Sequence, residues 1–397
     1  FNLPHQQRWN LGFNWFVESN NSFLDGWQVQ GDYIYSDAQD ASEFLDLTLT
    51  QRVDSGGNPQ FLPDARPVFF AVDPLLAGCD AQFIAPGQGF SNVSVACNAG
   101  RDDQDILLTN GVSGETHSLS LQLNRSFDFS ANSALDVRFG YAYTDASIGN
   151  PITSSTATSG FEEVATAIIN QNRLAPAQYA NEHNFVLSLN FEHYWTEGTP
   201  LQVGMFVRRR SGRPFSYSYD NNTSSTLFGD SDNEERNLFY VPTGPNDPLV
   251  DMSALVDSGQ SVDFFRFLEE SGLNSYAGGI AGRNQFEQDW STDVDIRIQQ
   301  DIRLPGNFNH KLKLFFDIEN LLNLFDDGEN VQRFVDVGDV AEAVPILDAA
   351  LSADRTQFVY SNFNPGAGRN TGIPFTTDVD DSVWRIQAGV RYEFGGF

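Results

Sequence analysis

The sequence predicts an all-β fold, a transmembrane antiparallel β-barrel with long extracellular loops, and three observations carry that prediction. Segments of about ten residues alternate apolar and polar side chains along the chain. The connections between them are alternately short and long. The last segment places Trp384, Ile386, Ala388, Val390, Tyr392 and Phe394 on one face, with Arg385, Gln387, Gly389, Arg391 and Glu393 on the other. An apolar outer face with aromatic residues near its ends is how a barrel strand meets lipid.

The first strand is expected at His5 to Phe16, with Trp9, Leu11, Phe13 and Trp15 opposite Asn10, Gly12 and Asn14. A short polar joint leads to the second, Gly26 to Ser36. A long polar connection follows, at about 37–115, within which Glu43 to Thr50 alternates and reads as an extension of the wall or a tenth strand. Strands three and four, Thr116 to Phe127 and Ser133 to Thr144, flank the tight turn Asp128 to Asn132. The next long loop, 145–182, holds a helical piece at Glu162 to Asn170. Strands five and six, His183 to Trp195 and Pro200 to Arg210, are joined by Thr196 to Thr199. After the loop 211–289 come Trp290 to Gln299 and Lys311 to Leu321, either side of Leu304-Pro305-Gly306-Asn307. The loop 322–382 precedes the ninth strand, Gln387 to Phe394. Structureless connections this long are improbable in a compact β-sandwich and normal on the rim of a large barrel.

If the last strand descends to the periplasm, the alternation makes the first descend too, so the segment begins outside the cell. Single-chain bacterial barrels have even strand numbers, so nine strands imply part of a larger wall. The remaining strands and any amino-terminal plug are then expected upstream or in another chain. Phe1-Asn2-Leu3-Pro4 has neither the basic nor the apolar region of a signal peptide, which fits a start inside a longer product.

Composition narrows the function classes. Of 397 residues 40% are hydrophobic, the mean hydropathy is −0.33, and no run of about 18 apolar residues exists for a membrane helix. Aromatics reach 13%, as interface girdles require. Acidic residues number 53 against 23 basic, a net charge of −30 that argues against a nucleic-acid partner. Solvated acidic loops are the simpler reading of that charge. Calcium is the cofactor to weigh, at Asp102, Asp103 and Asp105, at Asp230 and Asp232, and around Asp378 to Asp381, although none has the glycine-turned spacing of a calcium loop. Cys79 and Cys97, with 17 residues between them, are spaced for a disulfide in an oxidising compartment. Two Cys without a nearby His do not make a zinc site.

Enzyme signatures are missing from the sequence: there is no Gly-x-Ser-x-Gly elbow, phosphate-binding Gly loop or His-Glu-x-x-His helix, and the chain reads as a non-enzyme. Its five His are scattered, and Glu182-His183 and Glu192-His193 fall at opposite ends of one expected strand, too far apart to share a metal. Arg208-Arg209-Arg210 with Arg213 gathers basic residues at the outer end of strand six. Pairing with acidic loops or lipopolysaccharide phosphates is the simpler role. The functional one is a lumen-facing anion contact by Arg208, Arg210 and Arg213, with Arg209 directed to the lipid headgroups.

Several segments carry a family resemblance. Leu3-Pro4-His5-Gln6-Gln7-Arg8-Trp9-Asn10-Leu11-Gly12, Ser211-Gly212-Arg213-Pro214-Phe215-Ser216-Tyr217, Asn237-Leu238-Phe239-Tyr240-Val241-Pro242 and His310 to Asn323 resemble the carboxy-terminal barrel portion of Oar-like TonB-dependent outer-membrane receptors. Gln387, Gly389, Tyr392 and Phe394, followed by the terminal Phe397, are similar to the signal that hands barrels to their insertion machinery, although family members often end at the equivalent of Phe394. The resemblance implies about nine or ten strands of a 22-stranded barrel in a Gram-negative outer membrane, importing a ligand when TonB acts on a plug. A scaffold for surface or secretion partners is the alternative, and a passive porin the third.

Overall fold

A computed structural model describes residues 1–97, 104–152, 154–220, 227–229, 234–305, 310–325, 331–335, 343–364, 375–377 and 379–394. The described residues are mostly β, with 50% in strands, few helices and chiefly antiparallel sheets. Among the described residues no helix is long and apolar enough to cross a membrane.

One sheet dominates. Its long strands are β1 (His5–Phe16), β2 (Gln28–Gln39), β3 (Glu115–Ser130), β4 (Ser133–Ile148), β5 (His183–Tyr194), β6 (Pro200–Arg210), β7 (Ser291–Arg303), β8 (Lys311–Glu319) and β9 (Arg385–Glu393). They lie side by side in chain order, each antiparallel to the next, and Ala175–Pro176 adds a short rung on β4. β1 pairs with β2 alone and β9 with β8 alone, so among the described residues the sheet is open.

Register turns nine alternating segments into two continuous surfaces. Trp15, Val29, Leu123, Phe139, Leu187, Val207 and Val294 form one row across β1 to β7. The adjacent row reads Asn14, Gln30, Gln122, Gly140, Val186, Arg208 and Asp293. A slip of one residue in any strand would put its polar set into the apolar surface, so the pattern itself holds the register. The polar face is further tied by cross-strand pairs: Arg208 to Asp293 at 2.7 Å, Arg297 to Asp317 at 3.5 Å and Lys313 to Glu393 at 2.8 Å. Among the described residues nothing covers the apolar face at β1, where Trp9 is 68% and Leu11 74% exposed.

Aromatic rings border that face at both ends. At the short-turn end Phe23 and Trp27 pack on Phe127, whose ring lies 4.0 Å from the Arg125 guanidinium. Trp195 meets His193 there, and Phe394 meets Tyr392. At the long-loop end Tyr35 stands against His117, and His183 lies between Tyr141 and Trp290.

The long connections are not structureless. They assemble the main hydrophobic core of the molecule, with Phe215, Tyr219, Phe264, Phe267, Ile346, Phe358 and Tyr360 all at 2% exposure or less. A mixed sheet runs through this loop body in the order Val250–Asp251, Phe358–Ser361, Ala343–Leu351, Pro214–Tyr219, Phe286–Glu287. Its pairings of Ser216 with Ala343 and Val250 with Phe358 are parallel. The helix Ser261–Glu270 buries Phe264, Phe267 and Leu268, one stripe at helical spacing.

Two sequence expectations need correction. Glu43 to Thr50 is no tenth wall strand. Ser42–Asp46 pairs with Ile106–Asn110 and prolongs the β2–β3 hairpin, and Leu49–Gln51 turns away to pair with Phe69–Ala71. The break falls where the Asp46 carboxylate accepts hydrogen bonds from Thr48 N at 2.8 Å and Thr48 Oγ1 at 2.7 Å, a local turn that competes with strand. The helical piece lies at Ala157–Glu162, ending where it was expected to begin. Beyond it Thr166 bridges to Asn237 instead.

Candidate functional site

The arginines singled out from the sequence separate by face. Arg208 donates from Nε and Nη2 to Asp293 Oδ2, at 2.9 and 2.7 Å. Arg210, on the same face, donates to Ser291 Oγ at 3.0 Å and Gln332 Oε1 at 3.4 Å. Gln332 in turn donates to Asp293 Oδ1 at 2.7 Å, closing a network between the polar face and a long loop. Arg209 is on the apolar face, 5.3 Å from the Trp290 ring. Arg213 is exposed beyond β6, 5.8 Å from the Tyr179 ring. Arg208 and Arg210 thus act with Asp293 as a cross-strand clamp, and Arg213 stands apart from it.

On the terminal strand, Gln387 and Gly389 face the polar side opposite Asp317 and Phe315. A Cβ added to Gly389 would lie 2.2 Å from the Phe315 ring, so the missing side chain is the space that ring occupies. Tyr392 is on the apolar face, its hydroxyl bonded to His310 Nδ1. Phe394 is 77% exposed. Phe397 lies outside the described residues.

Cys79 and Cys97 are joined as a disulfide with Cα atoms 4.7 Å apart, and Cys97 is fully buried. Of the calcium candidates, Asp102, Asp103, Asp230 and Asp232 lie outside the described residues. Asp105 borders the strand Ile106–Asn110, its carbonyl accepting from Leu47 N at 3.0 Å. Among the described residues no group of three His, Cys, Asp or Glu is placed to hold a metal. His183 and His193 sit at opposite ends of β5, the first 3.7 Å from Glu182 and the second bonded to Ser133 Oγ at 2.8 Å.

The loop body brings together residues that sequence reading passed over. Arg66, Arg173 and Arg283, from three different connections, line one cavity of about 330 Å³. Arg66 is 4% and Arg283 7% exposed. Arg283 Nη2 donates to the carbonyls of Ile148 and Gly149, both at 2.6 Å, and of Arg173 at 3.3 Å. Arg66 donates from Nε to Asp64 Oδ2 at 2.7 Å and from Nη1 to the Leu238 carbonyl at 2.7 Å. Isolated arginines in polar loops carry no local signature, so nothing at sequence level grouped them. A second cavity, of about 270 Å³, is bordered by Asp145, Glu182 and Glu287. Burial pushes the Glu287 carboxyl up, and the charge and hydrogen bond of Glu182 add to the rise.

Buried tyrosines sit in the core of the loop body. The Tyr219 and Tyr360 hydroxyls meet at 3.1 Å, and Tyr360 donates to the Tyr240 carbonyl at 2.6 Å. Burial, then the neighbouring Asp247 carboxylate, pushes Tyr240 up to about 12. These hydroxyls therefore stay neutral at physiological pH and serve as structural donors.

Compared with protein-family models, with curated proteins and with solved structures, the chain finds no match.

Proposed function

We propose that this chain is part of the wall of an outer-membrane β-barrel of the TonB-dependent receptor type, taking part in energised uptake of a ligand captured by its loops. The observation that carries the membrane part is the uncovered apolar face with aromatic borders. On β3 the borders at His117 and Phe127 are ten residues apart, about 33 Å at roughly 3.3 Å per residue. Tilted by about 40°, that span becomes about 25 Å, the height of a barrel's lipid-facing band. A soluble sheet leaving this surface bare would associate through it. Strands from another segment or chain would pair with the free edges of β1 and β9, since an open edge is not tolerated in lipid. Lipopolysaccharide at the rim, the insertion machinery, a plug and TonB are the partners this reading names.

The import part rests on the resemblance of the wall segments. It is tested by growing cells that express the complete gene product in a defined solute mixture, with and without TonB, and measuring which solutes disappear from the medium. A solute depleted only when both proteins are present is the expected result. Depletion that persists without TonB would point to a passive porin and overturn the energised reading.

A scaffold role has one observation of its own: Val95 inside the disulfide-closed segment is 83% exposed, and Leu75 just before it 90%. Native purification that yields a stoichiometric surface partner, lost on replacing both residues by Ser, would favour it.

A further inference from the structure

We propose that the cavity between Arg66, Arg173 and Arg283 binds a small organic anion, a carboxylate or phosphate group carried on a short apolar body. The first ground is charge. In a chain with 53 acidic and 23 basic residues, three arginines line one cavity with no Asp or Glu among its described lining residues. Arg66 is paired with Asp64, which is not among the described lining residues, and the lining itself presents positive charge to an arriving anion.

The second ground is how the guanidinium groups are held. The Arg66 guanidinium carbon lies 4.5 Å from the centre of the Phe228 ring, a contact that holds the group in place. Nε and Nη1 are used on Asp64 and on the Leu238 and Ala167 carbonyls. Nη2 is buried and has no hydrogen-bond partner among the described residues. An unsatisfied donor on a residue that borders the cavity gains a bond when an acceptor reaches it. Arg283 is pinned through Nη2 by carbonyls at the end of β4 and in the following loop, which fixes its orientation beforehand. Arg173 is exposed at the same cavity, where it can receive an arriving anion.

The third ground is the rest of the lining. Ile168, Leu174, Leu238 and Ile280 give one side an apolar surface, suited to a short hydrocarbon body rather than to a bare inorganic ion. The volume of about 330 Å³ falls at the small end of ligand sites, which run from about 300 to 1,000 Å³. The inference goes beyond the import reading, because binding is a property of the loop body whether or not the wall transports anything.

The test is calorimetric titration of the purified full chain in detergent with hexanoate, citrate and inorganic phosphate, and with neutral hexanol as reference. Hexanoate should bind saturably, more tightly than hexanol, citrate or inorganic phosphate, and more weakly as salt is raised. Arg173→Gln should weaken binding about tenfold or more, as expected for loss of a charge-assisted hydrogen bond. Arg266→Gln, at an exposed ion pair on the helix Ser261–Glu270, should leave it within about twofold, the range of a surface change. Absence of hexanoate binding, equally tight binding of hexanol, citrate or phosphate, or equal affinity in the Arg173→Gln protein would each overturn the proposal. Failed import with intact binding would leave the site standing and remove only the transport reading.

Discussion

Phe264→Ala tests whether the long connections form a body with a stability of its own. Phe264 is 0% exposed, and its ring lies 5.4 Å from Phe265, 6.2 Å from Tyr360 and 5.3 Å from Phe363. A buried aromatic removes roughly 150 to 250 Å² from water, which at about 25 cal/mol per Å² is about 4 to 6 kcal/mol for the whole side chain. Alanine retains part of that, and the unfolded chain already hides some, so about 3 to 5 kcal/mol is the expected loss. That is a large share of the roughly 5 to 15 kcal/mol that holds an ordinary domain together. Hydrogen exchange read by mass spectrometry resolves where the loss falls. Peptides from Pro214–Tyr219, Ala343–Leu351 and Phe358–Ser361 should exchange roughly 10² to 4 × 10³ times faster, about tenfold per 1.4 kcal/mol. Peptides from β3 to β6 should be unchanged, because their ladders do not include this core. Trp9→Ala, on the exposed face, should leave the loop peptides unchanged. The reasoning fails if loop peptides are unprotected in the wild type, or if wall and loops lose protection together.

Three further outcomes follow from particular contacts. Replacing both Cys79 and Cys97 by Ser opens a loop closed across 18 positions, and the chain-entropy relation puts the loss near 3 kcal/mol; proteolysis of 37–115 should accelerate, and unchanged cleavage would deny the bridge a stabilising role. Burial pushes the Asp247 carboxyl up, but bonds from Thr243 N, Leu249 N and the Thr243 hydroxyl outweigh it and hold the value below the usual carboxylate range. Its stabilisation is therefore fully present above the unfolded value near 4 and is lost as pH falls through the lower folded value. Asp247→Asn should flatten the acid limb of a stability–pH curve and remove about 1 to 3 kcal/mol at neutral pH; an unchanged acid limb would assign the acid sensitivity elsewhere. Gly389→Val should destabilise the β8–β9 pairing by about 1 to 3 kcal/mol through overpacking on Phe315, and adding Phe315→Ala should restore part of it; strictly additive effects in urea melts would show that the two do not share the space.

The strands of the large sheet were legible because period-two alternation is a property of the local sequence. β1 and β6 span the residues expected of them, His5–Phe16 and Pro200–Arg210. Errors lie at strand ends, where solvent replaces ladder bonds and alternation stops deciding. β7 continues to Arg303, because Gln300 and Ile302 keep pairing with Leu314 and Leu312. β9 begins at Arg385, opposite Glu319. Two loop signals were readable yet passed over. Phe264, Phe265, Phe267 and Leu268 repeat at helical spacing, and Phe215, Tyr217 and Tyr219 alternate with serines as a strand would. What no local pattern could supply is partnership. Ser216 meets Ala343, and the arginines of the cavity come from three loops.

Buried apolar surface is therefore divided between two arrangements that respond to different solvents. Among the described residues the large sheet has almost no interior: of the apolar side chains of β1 to β9 only those of Pro200 and Val294 are buried. Its strands are held by ladders and register, and in water its apolar face gains nothing from folding. The loop body is the reverse, with 29 buried apolar residues in one cluster. Water drives its collapse as in any soluble domain. Replacing water by lipid at the wall would therefore stabilise the sheet without altering the loop core, whereas denaturant in the aqueous phase would attack the loops first. Two separate unfolding transitions are the consequence: a loop transition shifted by Phe264→Ala, and a wall transition shifted by lipid or detergent. A single transition moved equally by both perturbations would mean that loops and wall depend on each other for their fold.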